Sequence, residues 1–103
     1  MKFLLALAST AALLGPAPAW ADLALAKSKN CMACHAVGKK IVGPAFNDIA
    51  HKYQGNAQAA ATLAQHIRQG SRGVWGPVPM PANNHVTPEQ ALTLAQWVLS
   101  HKP

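Results

Sequence analysis

Along this chain apolar residues recur at three- and four-residue intervals and nowhere alternate over the length of a strand, which predicts an all-α domain. Leu23 with Ala26, and Leu25 with Lys29, give a short first helix over Asp22 to Lys29. Phe46, Ile49, Ala50 and Tyr53 stand at i, i+3, i+4 and i+7, a second helical stripe that follows the Gly43-Pro44-Ala45 turn and stops at Gly55. A third helix is expected over Ala57 to Gln69, where Leu63 and Ile67 share a face and Gly70 is a natural terminator. Ser71 to Asn84 holds three prolines and two glycines and reads as an irregular, stiff loop. Thr87-Pro88-Glu89-Gln90 then supplies an N-cap, a proline at the first helical position, an early acid and a capping-box glutamine. This last helix should run to about Lys102 and bury Ala91, Leu94, Ala95, Trp97 and Val98, with Ala26 allowing the first helix to approach closely beside Trp97 and Val98.

The first 21 residues follow a different rule. Met1-Lys2, the apolar run Phe3 to Leu14, Gly15-Pro16-Ala17-Pro18 and Ala19-Trp20-Ala21 have the three-part layout of a secretory signal, with cleavage expected after Ala21. A membrane anchor is the competing reading, but an apolar run of about twelve residues falls short of the roughly 20 that span a bilayer. Residues 1–21 are thus expected to be a leader and 22–103 one small domain, exported to an oxidising compartment such as a bacterial periplasm. Nine Lys and Arg face three Asp and Glu, a formal charge of +6 that becomes +5 when Lys2 leaves with the leader. So basic a surface favours acidic protein partners, while export and the lack of clustered arginines argue against nucleic acid. Without the leader, the aromatics are Phe46, Tyr53, Trp75 and Trp97 among many alanines, a modest core that a large apolar cofactor would complete.

The motif that names such a cofactor is Cys31-Met32-Ala33-Cys34-His35. Its C-x-x-C-H spacing lets two thiols add across the two vinyl groups of one haem while the adjacent imidazole reaches the iron. A thioredoxin-like dithiol would need a βαβ context, and a cysteine-rich zinc site a second ligand pair, but the chain has no third cysteine. His35 should donate its second ring N–H to a backbone carbonyl, with Pro44 the candidate. On the other side of the iron, Met1 leaves with the leader and Met32 lies between the two cysteines, so Met80 is the remaining methionine. It sits in Val78-Pro79-Met80-Pro81, whose prolines fix φ and hold the side chain on a stiff loop. The competing distal ligands are His51, His66, His85 and His101. Trp75 either donates its indole N–H to a haem propionate or is a plain core aromatic.

Residues 22–103 resemble the small class I bacterial cytochromes c of the c-551/c-552 group. The resemblance rests on Cys31 to His35, Val42-Gly43-Pro44-Ala45, Gly73 to Pro81 and the closing Leu94-Ala95-Gln96-Trp97-Val98-Leu99-Ser100. It implies a class I cytochrome c fold enclosing one haem c, His35 and Met80 as axial ligands, the Pro44 carbonyl as acceptor from His35, and Trp75 near a propionate. It further implies an amide contact from Asn83 to the Met80 sulfur and places His66 where a relative carries an arginine facing the propionates. The chain departs at Ala82, which replaces a second proline, and at Asn83-Asn84-His85, one residue longer than the shortest form. The implied function is that of a monomeric soluble carrier passing single electrons between periplasmic redox proteins, rather than an enzyme. A haem enzyme or gas sensor with an open iron, and a thiol-redox module without haem, are the competing classes.

Overall fold

Thr87 opens the helix on which the others converge. Its hydroxyl accepts from the Gln90 backbone N–H at 3.2 Å while the Gln90 amide oxygen accepts from the Thr87 N–H at 3.1 Å, a reciprocal box that satisfies donors the helix cannot. The structure is a computed structural model describing residues 19–101, and it contains four α-helices among them: α1 (Ala19–Ser28), α2 (Phe46–Lys52), α3 (Ala59–Gln69) and α4 (Pro88–Leu99). A single 3-10 turn, Cys31–Ala33, follows α1. No strand occurs among the described residues, only two isolated bridges, His35 with Lys40 and Ser71 with Met80. The expected leader lies outside the described residues except for its last three, which form the first turn of α1.

α4 packs against α1, α2 and α3, whereas those three make no close backbone approach to one another. The stripe expected on α4 is the one buried: Ala91, Leu94, Ala95, Trp97 and Val98. Ala26 of α1 is fully buried in the same cluster, so a methyl group is all that stands at that crossing. From α2 come Phe46 and Ile49, from α3 Leu63, and from the loop before α4 Val86.

Of the boundaries that differ from the sequence reading, three have a local reason. α1 ends at Ser28 because its hydroxyl bonds back to the Leu25 carbonyl and Asn30 turns into the left-handed region at φ 67°. α3 starts at Ala59 rather than Ala57, since the Asn56 side chain accepts from the Gln58 N–H at 2.8 Å and holds 56–58 as a turn. α4 stops at Leu99 rather than near Lys102. There Ser100 Oγ donates to the Trp97 carbonyl and His101 Nδ1 to that of Val98, taking over the last carbonyls of the helix.

Thr87→Ala removes one half of the box and leaves the Gln90 donor open. Its urea midpoint is expected to drop by the equivalent of about 1 kcal/mol with an unchanged denaturant slope.

Candidate haem site

The left-handed Asn30 swings the chain off α1 into the 3-10 turn, and that turn sets the geometry of the motif. The backbone N–H groups of Cys34 and His35 both donate to the Cys31 carbonyl, at 3.2 and 3.0 Å, so the five residues curl around one oxygen. The Cys34 carbonyl in turn accepts from Val42 and Gly43, at 3.2 and 2.8 Å, folding residues 36–43 back over the motif. This return brings the Pro44 carbonyl to 2.8 Å from His35 Nδ1. A carbonyl only accepts, so Nδ1 carries the proton and Nε2 of the neutral ring keeps its lone pair.

His35 is buried and gripped on two sides. Phe46 stacks on the ring, with centroids 5.2 Å apart and planes 22° from parallel, and Trp97 meets Phe46 edge-on at 5.3 Å. On another side a Cβ built on Gly43 would lie 2.5 Å from His35 Cε1, so the absence of a side chain there is what lets the imidazole sit down. Burial pushes the Cys31 thiol above its ordinary pKa, against a smaller opposing pull from its own backbone N–H. The sulfur therefore presents an S–H rather than a thiolate, and an uncharged thioether suits the same half-buried position.

A cavity of about 320 Å³ opens in front of this assembly, within the size range of cofactor pockets. Cys31, Cys34 and His35 line it together with Met80, and Leu63, Ile67, Leu94 and Val98 give it an apolar wall. Two thiols, an imidazole with a free lone pair and a thioether around one apolar cavity fit a covalently held haem. Of the competing histidines, His66 alone also lines the cavity. His51 is exposed, His85 Nε2 bonds the Lys29 carbonyl at 3.2 Å, and His101 packs edge-on against Trp97.

Met80 is held through its backbone. Its N–H donates to the Ser71 carbonyl at 2.9 Å and its carbonyl accepts from the Ser71 N–H at 3.0 Å. That pairing takes Ser71 away from Ile67, its partner in a continued helix, and Asn83 fills the gap. The backbone N–H of Asn83 reaches the Ile67 carbonyl at 3.1 Å and Nδ2 reaches it at 2.9 Å. Nδ2 also points to the Pro81 carbonyl at 3.3 Å, so both amide hydrogens have acceptors and Asn83 is not among the residues lining the cavity. The Asn83 amide, for which the resemblance implies a contact to the Met80 sulfur, fastens the loop in the structure. Arg68 Nε adds a third tie to the Val86 carbonyl at 3.1 Å.

Trp75 lines the cavity and is 36 % exposed, and Lys52 Nζ stands 4.9 Å from its ring centroid. The sequence reading did not find the supporting roles of Gly43, Ser71, Arg68 and Lys52. Gly43 carried a turn signal, but the other three act through backbone carbonyls or a ring face that leave no pattern in the chain.

Such a site defines a protein with covalently attached haem. Residues 23–102 match the family described as Cytochrome c, and the chain belongs to that family. It is 54 % identical to cytochrome c-551 of Pseudomonas aeruginosa over 101 residues, covering 96 % of this chain and 95 % of that one. It is 50 % identical to cytochrome c-552 of Nitrosomonas europaea over 94 residues, covering 91 % of each. The crystal structure of wild-type Nitrosomonas europaea cytochrome c552 superposes with a TM-score of 0.76 at 51 % identity, over 78 % of this chain and 99 % of that one. The protein is accordingly a small class I cytochrome c, a haem-containing electron carrier with one covalently bound haem c and with redox proteins as its partners.

Gly43→Ala drives a methyl group into the His35 ring. Denaturant unfolding of the holoprotein is expected to show a loss of about 1 to 3 kcal/mol, the usual cost of overpacking a dense site.

Proposed function

We propose that the protein is a monomeric, periplasmic one-electron carrier whose leader is cleaved after Ala21 and whose haem iron is held between His35 Nε2 and the Met80 thioether. The observation that carries this reading is the pair of constraints on those two side chains. His35 Nδ1 is committed to the Pro44 carbonyl, and the Met80 backbone is committed to Ser71, with both side chains on one cavity. The haem supplies one-electron chemistry between ferrous and ferric iron. Pro44 keeps the imidazole in the tautomer that coordinates and keeps it electron-rich. The soft, neutral thioether would favour the ferrous state, and with His35 and Met80 both holding the iron no position would be left for substrate or diatomic ligands. His66 and Trp75 are assigned to the propionates, a reading supported by their place on the cavity lining and by the exposure of Trp75.

The surface around Lys40, Val42 and Val78, which line the cavity, supports a docking role. Ile41, Val42 and Val78 are large apolar residues left about half exposed, and the exposed Lys39 and Lys40 precede Ile41 and Val42 directly. An apolar patch beside lysines suits an acidic protein surface, where charge steers the encounter and dry contact shortens the electron path. No helix among the described residues is long and apolar enough to cross a membrane.

Met80→Ala is expected to lower the reduction potential by on the order of 0.1 V, inside the roughly 0.8 V that axial ligands span. It should also let ferrous protein bind carbon monoxide rapidly where the wild type resists. Unchanged potential and unchanged carbon monoxide access would move the distal ligand to His66 or leave the iron open. Electron exchange with an acidic partner should slow as salt rises through about 0.1 M, where the screening length is near 10 Å. Lys39→Glu with Lys40→Glu should flatten that dependence.

A further inference from the structure

α3 leaves its last turn through Gly70, at φ 79° and ψ 174°, a backbone region that residues with a Cβ almost never occupy. The turn so made lays Ser71 antiparallel to Met80, and it also lays Gly70 flat against the segment beyond. A Cβ built on Gly70 would stand 2.6 Å from the Met80 carbonyl oxygen, 3.0 Å from the Ala82 nitrogen and 3.3 Å from the Pro81 carbonyl carbon. All three are backbone atoms, so no side chain can rotate aside to make room. Pro79 and Pro81 fix φ on either side of Met80 and leave the segment little slack.

We propose that Gly70 is the positioning residue for the distal ligand: by carrying no side chain, it allows the end of α3 to seat the Met80 backbone and so sets where the thioether lies. The proposal rests on the reading of Met80 as an iron ligand. Three further bonds from the end of α3 reach the same segment, two from Asn83 to the Ile67 carbonyl and one from Arg68 to the Val86 carbonyl. Those bonds lie beyond Met80. The Ser71 pairing alone acts on Met80 itself, and a group at Gly70 separates its two sides.

The test compares ferric holoproteins of wild type, Gly70→Ala, Gly55→Ala and Met80→Ala. Gly55 also has positive φ, at 77°, but a Cβ there would meet nothing within 4 Å, so it reports backbone strain without displacement of Met80. Two readouts serve: the long-wavelength charge-transfer band of a ferric iron–thioether bond, and the rate at which added imidazole captures the iron. Gly70→Ala is expected to weaken or lose the band and to take up imidazole about tenfold faster or more, the scale that overpacking costs imply. Gly55→Ala is expected to keep the wild-type band and rate whatever its stability. A Gly70→Ala protein with the wild-type band and rate overturns the proposal while leaving the ligand assignment standing. A wild type without the band, or one that Met80→Ala does not change, overturns the ligand assignment instead and the role of Gly70 with it. If Gly70→Ala yields no holoprotein, hydrogen exchange in the wild type decides. The Ser71 and Met80 amides bond each other's residues and must exchange slowly together, and free exchange at either one overturns the proposal.

Discussion

The hydrogen bond from His35 Nδ1 to the Pro44 carbonyl fixes more of this protein than any other single contact. Its own strength is of the order of 1 kcal/mol, typical of such bonds. Its geometric reach is larger. To deliver that carbonyl, residues 36–43 must fold back onto the Cys34 carbonyl, and Gly43 must lie against the imidazole without a side chain. Two residues later the chain enters α2 at Phe46, which stacks on the same ring and is met edge-on by Trp97 of α4. One bond therefore registers the attachment motif, α2 and α4 against each other. It also leaves the opposite ring nitrogen as the basic one.

The two sides of the cavity are built on different principles. His35 is positioned by its side chain, through a bond at Nδ1, a stacked ring and a close backbone at Gly43. Met80 is positioned by its main chain, through a two-bond bridge to Ser71 and flanking prolines. A flexible thioether offers no strong hydrogen-bonding group by which to be steered, so fixing its Cα is the effective control. The last turn of α3 provides that control by giving up its own helical continuation and lending carbonyls to the loop.

Much of this was legible in the residues. The cap at Thr87 and the apolar stripe of α4 are local signals, and both hold in the structure. The attachment motif is contiguous, and the Pro44 acceptor follows from what an iron-bound imidazole requires of its other nitrogen. What could not be read depends on carbonyls brought together over long stretches of chain: Ile67 with Asn83, Arg68 with Val86, Lys29 with His85. A carbonyl is the same at every position, so no residue type announces which one will be used. Asn83 shows the consequence, since its amide could serve a sulfur or a carbonyl and only the path of α3 decides. The start of α3 was misread for a smaller reason, the Asx turn at Asn56, which interrupts an alanine-rich run that propensity alone would extend.

That α1, α2 and α3 bring their backbones close to α4 but not to one another bears on how the molecule comes into being. Helices of seven to twelve residues are marginal in isolation, and here α4 is the one helix whose backbone the other three approach. The cavity lined by Cys31, Cys34 and His35 and walled by Leu63, Ile67, Leu94 and Val98 is the part of their interior left for a cofactor to fill. Once the cofactor is joined to Cys31 and Cys34, the missing interior arrives as part of the chain itself and cannot be lost by dilution. Attachment thereby turns the filling of that cavity from a bimolecular equilibrium into an intramolecular one.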